Sequence, residues 1–413
     1  MSTALAAPAG SDVARPQTAP GARNSALRLW IALGVVLGVA AFTRLWRLEL
    51  IDFKADEAQI ASLAVEVAQG HWPATSIQTS GGIFNPPLPV YFFGLAALFT
   101  RDPAWQAAVS GLLDVLGVLA VFFIGRRHFC GRVGLAAAAF YAGNAYATIF
   151  ARKLAGPFLQ PLFAALLLVC LLESAESTAK PHRRIWAAAV FLLAILVQFH
   201  LGALLLAPVI AVLFLLSRPT WRAVGSAAGG AVLGVALFGP YLVYEFSNQA
   251  GNFLPSLLGA AGGTPGWGFG AFRLIWVTVT SPGYGDLTGT ASSMFNGESW
   301  PAGLVTPLAG AAVLGGLGVA LWRWRDRRYL TLMLFVLLPL LLMLHDDAAV
   351  RIHYFVFLEP AIFLLAGIGF DALLARWRGL IMPAFALLAL LLAVQTADLV
   401  HFTSFIQQHE LPA

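Results

Sequence analysis

Apolar residues run through this chain in long blocks, with polar residues gathered between them. The blocks lie at about 27–41, 105–125, 133–150, 158–173, 185–199, 201–217, 223–245, 302–322, 329–344, 354–374 and 380–400. A membrane-spanning helix needs about 20 apolar residues, within a range of about 17–25. The two blocks around Gln198 and His200 are short if separate and too long if joined, and read as two short helices meeting at the outer face. The pattern predicts an all-α polytopic membrane protein with about eleven transmembrane helices. The segment 88–100, LPVYFFGLAALFT, is too short for a span and reads as interfacial or re-entrant.

The first outer connection, 47–104, also carries the stretch FKADEAQIASLAVEVAQG. Ile60, Leu63, Ala64, Val67 and Ala68 recur on one helical face, with Gln59, Ser62, Glu66 and Gln69 opposite. Gly70 supplies a stop signal. Such an amphipathic helix suits the membrane surface, so juxtamembrane helices are expected at the outer face.

Charge orients the spans. With 88–100 lying on the outer surface, 17 of the 25 Lys and Arg fall on one side, which the positive-inside rule makes cytoplasmic. Residues 1–26, rich in Ala, Pro, Gly and Ser, are expected to be a disordered cytoplasmic tail, and the block at 27–41 a first span rather than a cleaved leader. Residues 27–400 form the transmembrane domain and 401–413 a short outer tail. The outer face collects the loop 47–104, a Gly- and aromatic-rich loop at 246–301, and the short loop HDDAAVRIHY at 345–354.

Composition excludes other classes. The chain is 59% hydrophobic and 11% charged, against about 25% charged in soluble domains. Its mean hydropathy is +0.79. Cys130 and Cys170 lie in or beside apolar blocks and form no disulfide framework. The net charge of +5 is no nucleic-acid footprint, because most of the basic residues are topology signals.

Candidate chemistry therefore falls to the few outer charges. Asp56 and Glu57 open the amphipathic helix. Asp56 followed by Gln59 is a capping-box pattern, and a carboxylate here also suits a general base for a hydroxyl nucleophile. About 100° separates successive helical residues, so the two acids do not share one job. Pro86, Pro87 and Pro89 read as a stiff turn that starts the short apolar segment. Arg152 and Lys153 follow the third span, and Arg351, His353 and Tyr354 precede the tenth beside Asp346 and Asp347. A basic cluster facing a carboxylate helix suits an anionic substrate such as a phosphate group. His200 and Gln198, at the outer turn of the short helix pair, are candidates for substrate contact, as is Glu359 near the outer end of its span. Asp114, nearer mid-membrane, reads as a helix-packing residue. Trp267, Phe269, Phe272, Trp276, Tyr284, Phe295 and Trp300 read as an interfacial belt and loop core. A P-loop, a Rossmann fingerprint, His/Cys metal spacing and a serine nucleophile elbow are all missing.

In this order, an Asp-Glu pair opening an outer helix, a Pro-Pro follower, Arg-Lys after the third span, Gln-x-His at a membrane turn and a late Arg-x-His-Tyr resemble the GT-C glycosyltransferases. The resemblance is to the family around protein O-mannosyltransferases and bacterial aminoarabinose–lipid A transferases. It is clearest over about residues 27–220, with RIHYFVFLEP as a later match. It implies transfer of a sugar from a polyprenyl phosphate to a hydroxyl-bearing acceptor at the outer face, and the alanine- and glycine-rich style of the sequence suggests a bacterial plasma membrane. Asp56 is implied as base or metal-linked carboxylate, and Glu57 as holding the loop or contributing to an ion site. Arg152 or Lys153, with Arg351, is implied to neutralise the lipid phosphate. A divalent metal ion on Asp56 or Glu57 stays open, and no nucleotide cofactor is needed. Two features depart from the family: KLAGPFLQ replaces a stretch where some members carry a further acid, and no large soluble domain follows the spans. A transporter or lipid flippase of envelope biosynthesis is the alternative reading, and a non-catalytic envelope scaffold a third.

Overall fold

The computed structural model describes residues 20–50, 53–79, 83–176, 183–248, 267–280, 284, 302–345 and 351–409. Among these residues the chain is helical, with one isolated bridge between Gln78 and Phe84 and no strand. The helices are α1 (Pro20–Leu45), α2 (Ala55–Ala68), α3 (Leu88–Ala97), α4 (Pro103–His128), α5 (Gly131–Ala142), α6 (Ala145–Phe150), α7 (Gln160–Glu176) and α8 (Arg183–Phe199). They continue as α9 (Ala207–Leu216), α10 (Trp221–Leu237), α11 (Gly239–Asn248), α12 (Gly270–Thr280), α13 (Ala302–Trp322), α14 (Arg327–Leu342), α15 (Glu359–Arg376) and α16 (Ile381–Gln408). Short 3-10 turns at Gly156–Leu159, Leu201–Leu206 and Ile352–Leu358 lead into α7, α9 and α15.

Every apolar block of the sequence is helical, but the count of clear spans is smaller than eleven. Among the described residues, five helices are long and apolar enough to cross a membrane: Leu27–Leu45, Pro103–His128, Gly156–Glu176, Ile352–Arg376 and Ile381–Gln408. The pair α10 and α11, bent by 57°, makes a sixth if taken as one span. The difference lies in breaks that hydropathy does not register. The block at 133–150 divides at Gly143–Asn144, where the Asn144 side chain accepts from Ala147 N–H at 2.9 Å and donates to the Thr278 carbonyl at 2.8 Å. Asn144 thereby starts a new helix and ties it to α12.

The centre of the bundle is α15, packed between α5 and α13, with α4 closing against α5. Phe357, Leu358, Ala361 and Leu364 are fully buried there. Residues 401–408, expected to start a tail, continue α16, because Phe402, Phe405 and Ile406 extend its apolar face onto Ala145, Ile149 and Tyr284. The helix α1 begins at Pro20, inside the stretch expected to be disordered, and residues 1–19 lie outside the described residues. The expected loop 246–301 contains α12, whose Ala271, Ile275 and Val279 are buried on one face. Phe295, Trp300, Asp346 and Asp347 also lie outside the described residues. Tyr284 is buried, whereas Trp267 and Phe269 are exposed, so the aromatic set divides between core and surface.

The two ends of the bundle differ. At one end, basic residues pair with acids: across helices Arg127 with Glu173 at 2.5 Å and Arg132 with Asp371 at 2.6 Å, and at the start of α14 Arg328 with the N-cap Asp326 at 2.7 Å. The other end holds the extramembrane pieces α2, α3 and α12 and the starts of α4 and α15.

Candidate active site

The site begins with the way α2 starts and stops. Lys54 is extended, with φ −110° and ψ 178°, and is the N-cap. Glu57 is then the third helical residue, and its carboxylate accepts the Lys54 backbone N–H at 3.1 Å. The sequence reading put the capping role on Asp56 with Gln59. The helix starts two residues earlier than that pattern requires, so Glu57 does the capping and is buried. Asp56 is left exposed. At the far end Gly70 takes φ +90°, with Gly70 N–H on the Val67 carbonyl and His71 N–H on that of Glu66. This left-handed stop is the one the sequence marks with glycine.

The apolar face of α2, with Ile60, Ala61, Ala64 and Val67, lies on α3 and on Leu154, Leu159 and Phe199. At 10 residues, α3 is about 15 Å long, too short to cross a bilayer. Val90 and Phe93 are buried, whereas Leu95, Leu98 and Phe99 are exposed, an arrangement that fits the interfacial expectation. Between α2 and α3 the chain doubles back, with Ser76 N–H on the Asn85 carbonyl at 2.7 Å and Asn85 N–H on that of Ile77 at 3.0 Å. The Tyr241 hydroxyl of α11 donates to the Phe84 carbonyl at 2.9 Å and holds this ribbon.

The opposite walls come from turns. Gly156 packs so close to α8 that a Cβ would stand 2.3 Å from the Phe199 carbonyl oxygen, so no larger residue fits there without movement. The Gln160 side chain donates to the Leu196 carbonyl at 2.9 Å, fixing the end of α8. His200 follows, in the turn between two apolar helices, and its Nδ1 accepts from Gly202 N–H at 3.1 Å. Burial lowers the His200 imidazole to about 3, with His353 adding to the shift, so the ring is neutral at pH 7. The His200 ring lies 4.8 Å from that of Tyr354 and 5.9 Å from that of His353.

These pieces enclose a cavity of about 1030 Å³. Of the predicted residues it brings together Asp56, Glu57, Lys153, His200, Arg351, His353 and Tyr354. Lys54, Ser76, Gln78, Thr79, Asn85 and Tyr146 line it as well and were missed by sequence reasoning. A signal for the ribbon existed: Gly81-Gly82 between short runs of alternating polarity is a hairpin pattern. A side chamber of about 260 Å³, bounded by Leu48, Phe53, Asp102 and Leu154, shares Glu57 and Lys153 with the main cavity. The arrangement sets an exposed carboxylate among cations and neutral hydrogen-bonding groups in one enclosure.

Three predicted residues stand elsewhere. Arg152 is buried, and its guanidinium donates to the carbonyls of Thr43 at 3.0 Å, Trp46 at 2.7 Å and Arg47 at 2.8 Å. It closes the C-terminal end of α1, where a cation and its donors meet free carbonyls. Gln198 donates to the Leu237 carbonyl at 2.9 Å, at the bend between α10 and α11, and does not line the cavity. Glu359 is buried at the start of α15 beside Arg44 and Asp114 and does not line it either.

Among the described residues no group of three or more His, Cys, Asp and Glu side chains is placed to hold an ion. The carboxylate of Glu57 is engaged by its own helix cap.

A helical membrane bundle carrying short juxtamembrane helices over a polar cavity at one end defines the class: the chain has the GT-C membrane glycosyltransferase fold. Residues 85–244 match the family model described as dolichyl-phosphate-mannose-protein mannosyltransferase. Apo ArnT from Cupriavidus metallidurans aligns with a TM-score of 0.57 at 16% identity, over 87% of this chain and 62% of that one. The same protein bound to undecaprenyl phosphate gives 0.55 at 18% identity, over the same 87% and 62%. The archaeal oligosaccharyltransferase AglB from Archaeoglobus fulgidus, in complex with an inhibitory peptide and a dolichol-phosphate, gives 0.51 at 11% identity, over 93% and 56%. The chain thus spans about three-fifths of the length of the solved structures it matches. No curated protein matches it significantly.

Proposed function

We propose that the protein is a membrane glycosyltransferase that moves a sugar from a polyprenyl-phosphate donor to a hydroxyl-bearing acceptor. The observation that carries this reading is the single cavity in which Asp56 shares the walls with Lys153 and Arg351. Its volume of about 1030 Å³ reaches the top of the usual range for ligand sites, about 300–1,000 Å³. That is room for a sugar phosphate and the first part of its lipid.

Asp56 accepts the proton of the acceptor hydroxyl as its oxygen attacks the anomeric carbon. The bond from that carbon to the phosphate oxygen breaks, and the electron pair leaves with the lipid phosphate. Lys153 and Arg351 meet the charge that grows there, and fixed cations in an enclosed site lower such a barrier. His353 adds donor capacity on the phosphate side. His200 and Tyr354, whose rings lie 4.8 Å apart and tilted by 33°, offer the sugar a polar and aromatic wall. Glu57 keeps Asp56 in place by fixing the start of α2. Direct displacement inverts the anomeric centre. Neither a nucleotide nor a nucleotide site enters, because the donor lipid carries the energy. By the charge asymmetry of the sequence, the cavity faces the outer side of a bacterial plasma membrane and the N-terminus is cytoplasmic. The match to a mannosyltransferase model and the undecaprenyl phosphate on ArnT support this donor class.

The test is direct. The purified protein is reconstituted with polyprenyl-phosphate sugars and membrane-extract acceptors, and glycosylated products are sought by mass spectrometry. A new glycosidic product that disappears in Asp56→Asn is the expected result. Movement of lipid or sugar across the bilayer without any such product favours a transporter and overturns the proposal.

A further inference from the structure

The end of the bundle away from the candidate active site carries a second cavity, of about 330 Å³, formed where α5, α13, α14 and α15 meet. Asp371, in its wall, lies 12 residues along α15 from Glu359, about 18 Å at 1.5 Å per residue. Nothing in the proposed transfer uses it.

Its charge follows from its pairings. Arg132 Nε donates to Asp371 at 2.6 Å. Arg328 holds both oxygens of Asp326 and donates to the His128 carbonyl at 2.6 Å, so that guanidinium is spent on structure. Arg323 is different. It donates one N–H to the Tyr329 hydroxyl at 3.2 Å and lies 5.6 Å from the centre of that ring. Among the described residues it forms no ion pair. Three guanidiniums thus meet two carboxylates: Arg132 and Arg328 pair directly, Arg323 reaches Asp326 only through space, and one positive charge is in excess.

The rest of the wall is apolar: Phe129, Val133, Val319, Ile368 and Ala372. In the chain, Trp322 and Trp324 flank Arg323 and Trp377 follows the lining residue Ala375 by two; they are 88%, 55% and 54% exposed. Tryptophans of that exposure mark the level of lipid headgroups. Lining cations with one in surplus, an apolar wall and exposed tryptophans next to it in the chain fit one amphiphile.

We infer that this cavity binds the headgroup of an anionic glycerophospholipid, with Arg323 and Arg132 on its phosphodiester and the apolar wall against its first methylenes. Basic pockets between membrane helices are suited to anionic headgroups, each basic residue contributing modestly. The inference does not depend on the transfer reaction, because it uses none of the residues of the other cavity.

The experiment is native mass spectrometry of the purified full chain with added phosphatidylglycerol or phosphatidylcholine, together with thermal melting in each lipid and in inorganic phosphate. The wild type is expected to retain phosphatidylglycerol about fivefold better than phosphatidylcholine and to melt higher in its presence. Arg323→Gln is expected to bring the two lipids level, and Arg323→Lys to restore the preference. Arg132→Gln, which leaves Asp371 without its partner in the cavity, provides an independent variant with the same expected loss. Equal retention of both lipids by the wild type overturns the inference, and so does an undiminished preference in Arg323→Gln and Arg132→Gln. Protection by inorganic phosphate alone, equal to that by the lipid, also overturns it in favour of a soluble anion.

Discussion

Arg152 and Lys153 are neighbours in the chain and serve opposite ends of one physical choice. Arg152 belongs to a sealed interior in which Arg44 pairs with Asp114 at 2.5 Å, and Tyr141 donates to the same carboxylate. Arg44 spends its remaining N–H groups on the carbonyls of Tyr141 and Ala142 and the hydroxyls of Thr43 and Thr148. Lys153 belongs to the open cavity with Asp56 and Arg351. In the sealed cluster the charges are dry and answered by fixed partners, which joins α1, α4 and α5. In the cavity they line a space that can take a ligand. A charge sealed among protein groups stabilises structure; one in a cavity wall can also answer charge on a ligand.

The comparison breaks first at Asp56. Asp56→Asn is expected to lower the transfer rate by about 10²–10⁴, the usual worth of a positioned general base. The melting temperature of the purified protein should stay unchanged, because Asp56 is exposed. Activity at the wild-type level would move the base elsewhere.

Arg44→Met makes the converse case. Removing one member of a buried pair costs about 3–5 kcal/mol, because the other charge is left uncompensated. Size-exclusion profiles and melting curves in detergent should show a large loss of folded protein. Arg44→Met with Asp114→Leu is expected to recover much of it, since the orphan charge is then gone. A single variant that folds normally but fails in transfer would assign Arg44 to the chemistry instead.

How far the sequence discloses these two clusters depends on the distance between partners. The apolar blocks, the face and glycine stop of α2 and the shortness of α3 are local properties, and all are legible. Which of two adjacent acids caps the helix and which stays exposed is not, because it turns on whether the helix starts at Ala55 or two residues later. Lys54, an unusual N-cap, hides that boundary. Arg44 and Asp114 are 70 residues apart, and nothing in the alanine- and glycine-rich text between them announces the pair. Arg152 reads as a phosphate ligand because a basic residue after a span has several uses, and its actual partners are carbonyls at the C-terminal end of α1 and just beyond it, more than 100 residues earlier. The break at Gly143–Asn144 and the helix α12 are set by tertiary contact through Thr278, which hydropathy does not contain.

The neighbouring pair gives the sharpest form of the contrast. Lys153→Gln is expected to lower transfer by about 10²–10³, as loss of one charge-stabilising group does, with little thermal change. Arg152→Gln is expected to lower the melting point, since the carbonyls of Thr43, Trp46 and Arg47 lose charged donors worth about 1.5–3 kcal/mol each at most. Kinetics and melting measured on both variants separate the two roles. If Arg152→Gln is thermally silent and catalytically dead, the division between sealed and open clusters fails at this residue.

The smallest effect is the one at Gln198, which the sequence placed beside His200 as a substrate contact. The structure separates them. His200 lines the cavity, while Gln198 reaches Leu237, the last residue of α10 before the 57° bend into α11. At such a break a carbonyl loses its partner in the helix, and within a membrane there is little water to replace it. Gln198→Leu removes that donor and should cost about 1 kcal/mol, a degree or two in melting with transfer rate preserved. The consequence reaches the cavity only if the bend relaxes, because Tyr241 of α11 holds the Phe84 carbonyl and with it the ribbon that carries Gln78 and Asn85. A fall in sugar affinity without a fall in the rate at saturation would show that relaxation. A fall in the saturated rate with unchanged melting would return Gln198 to the reacting groups.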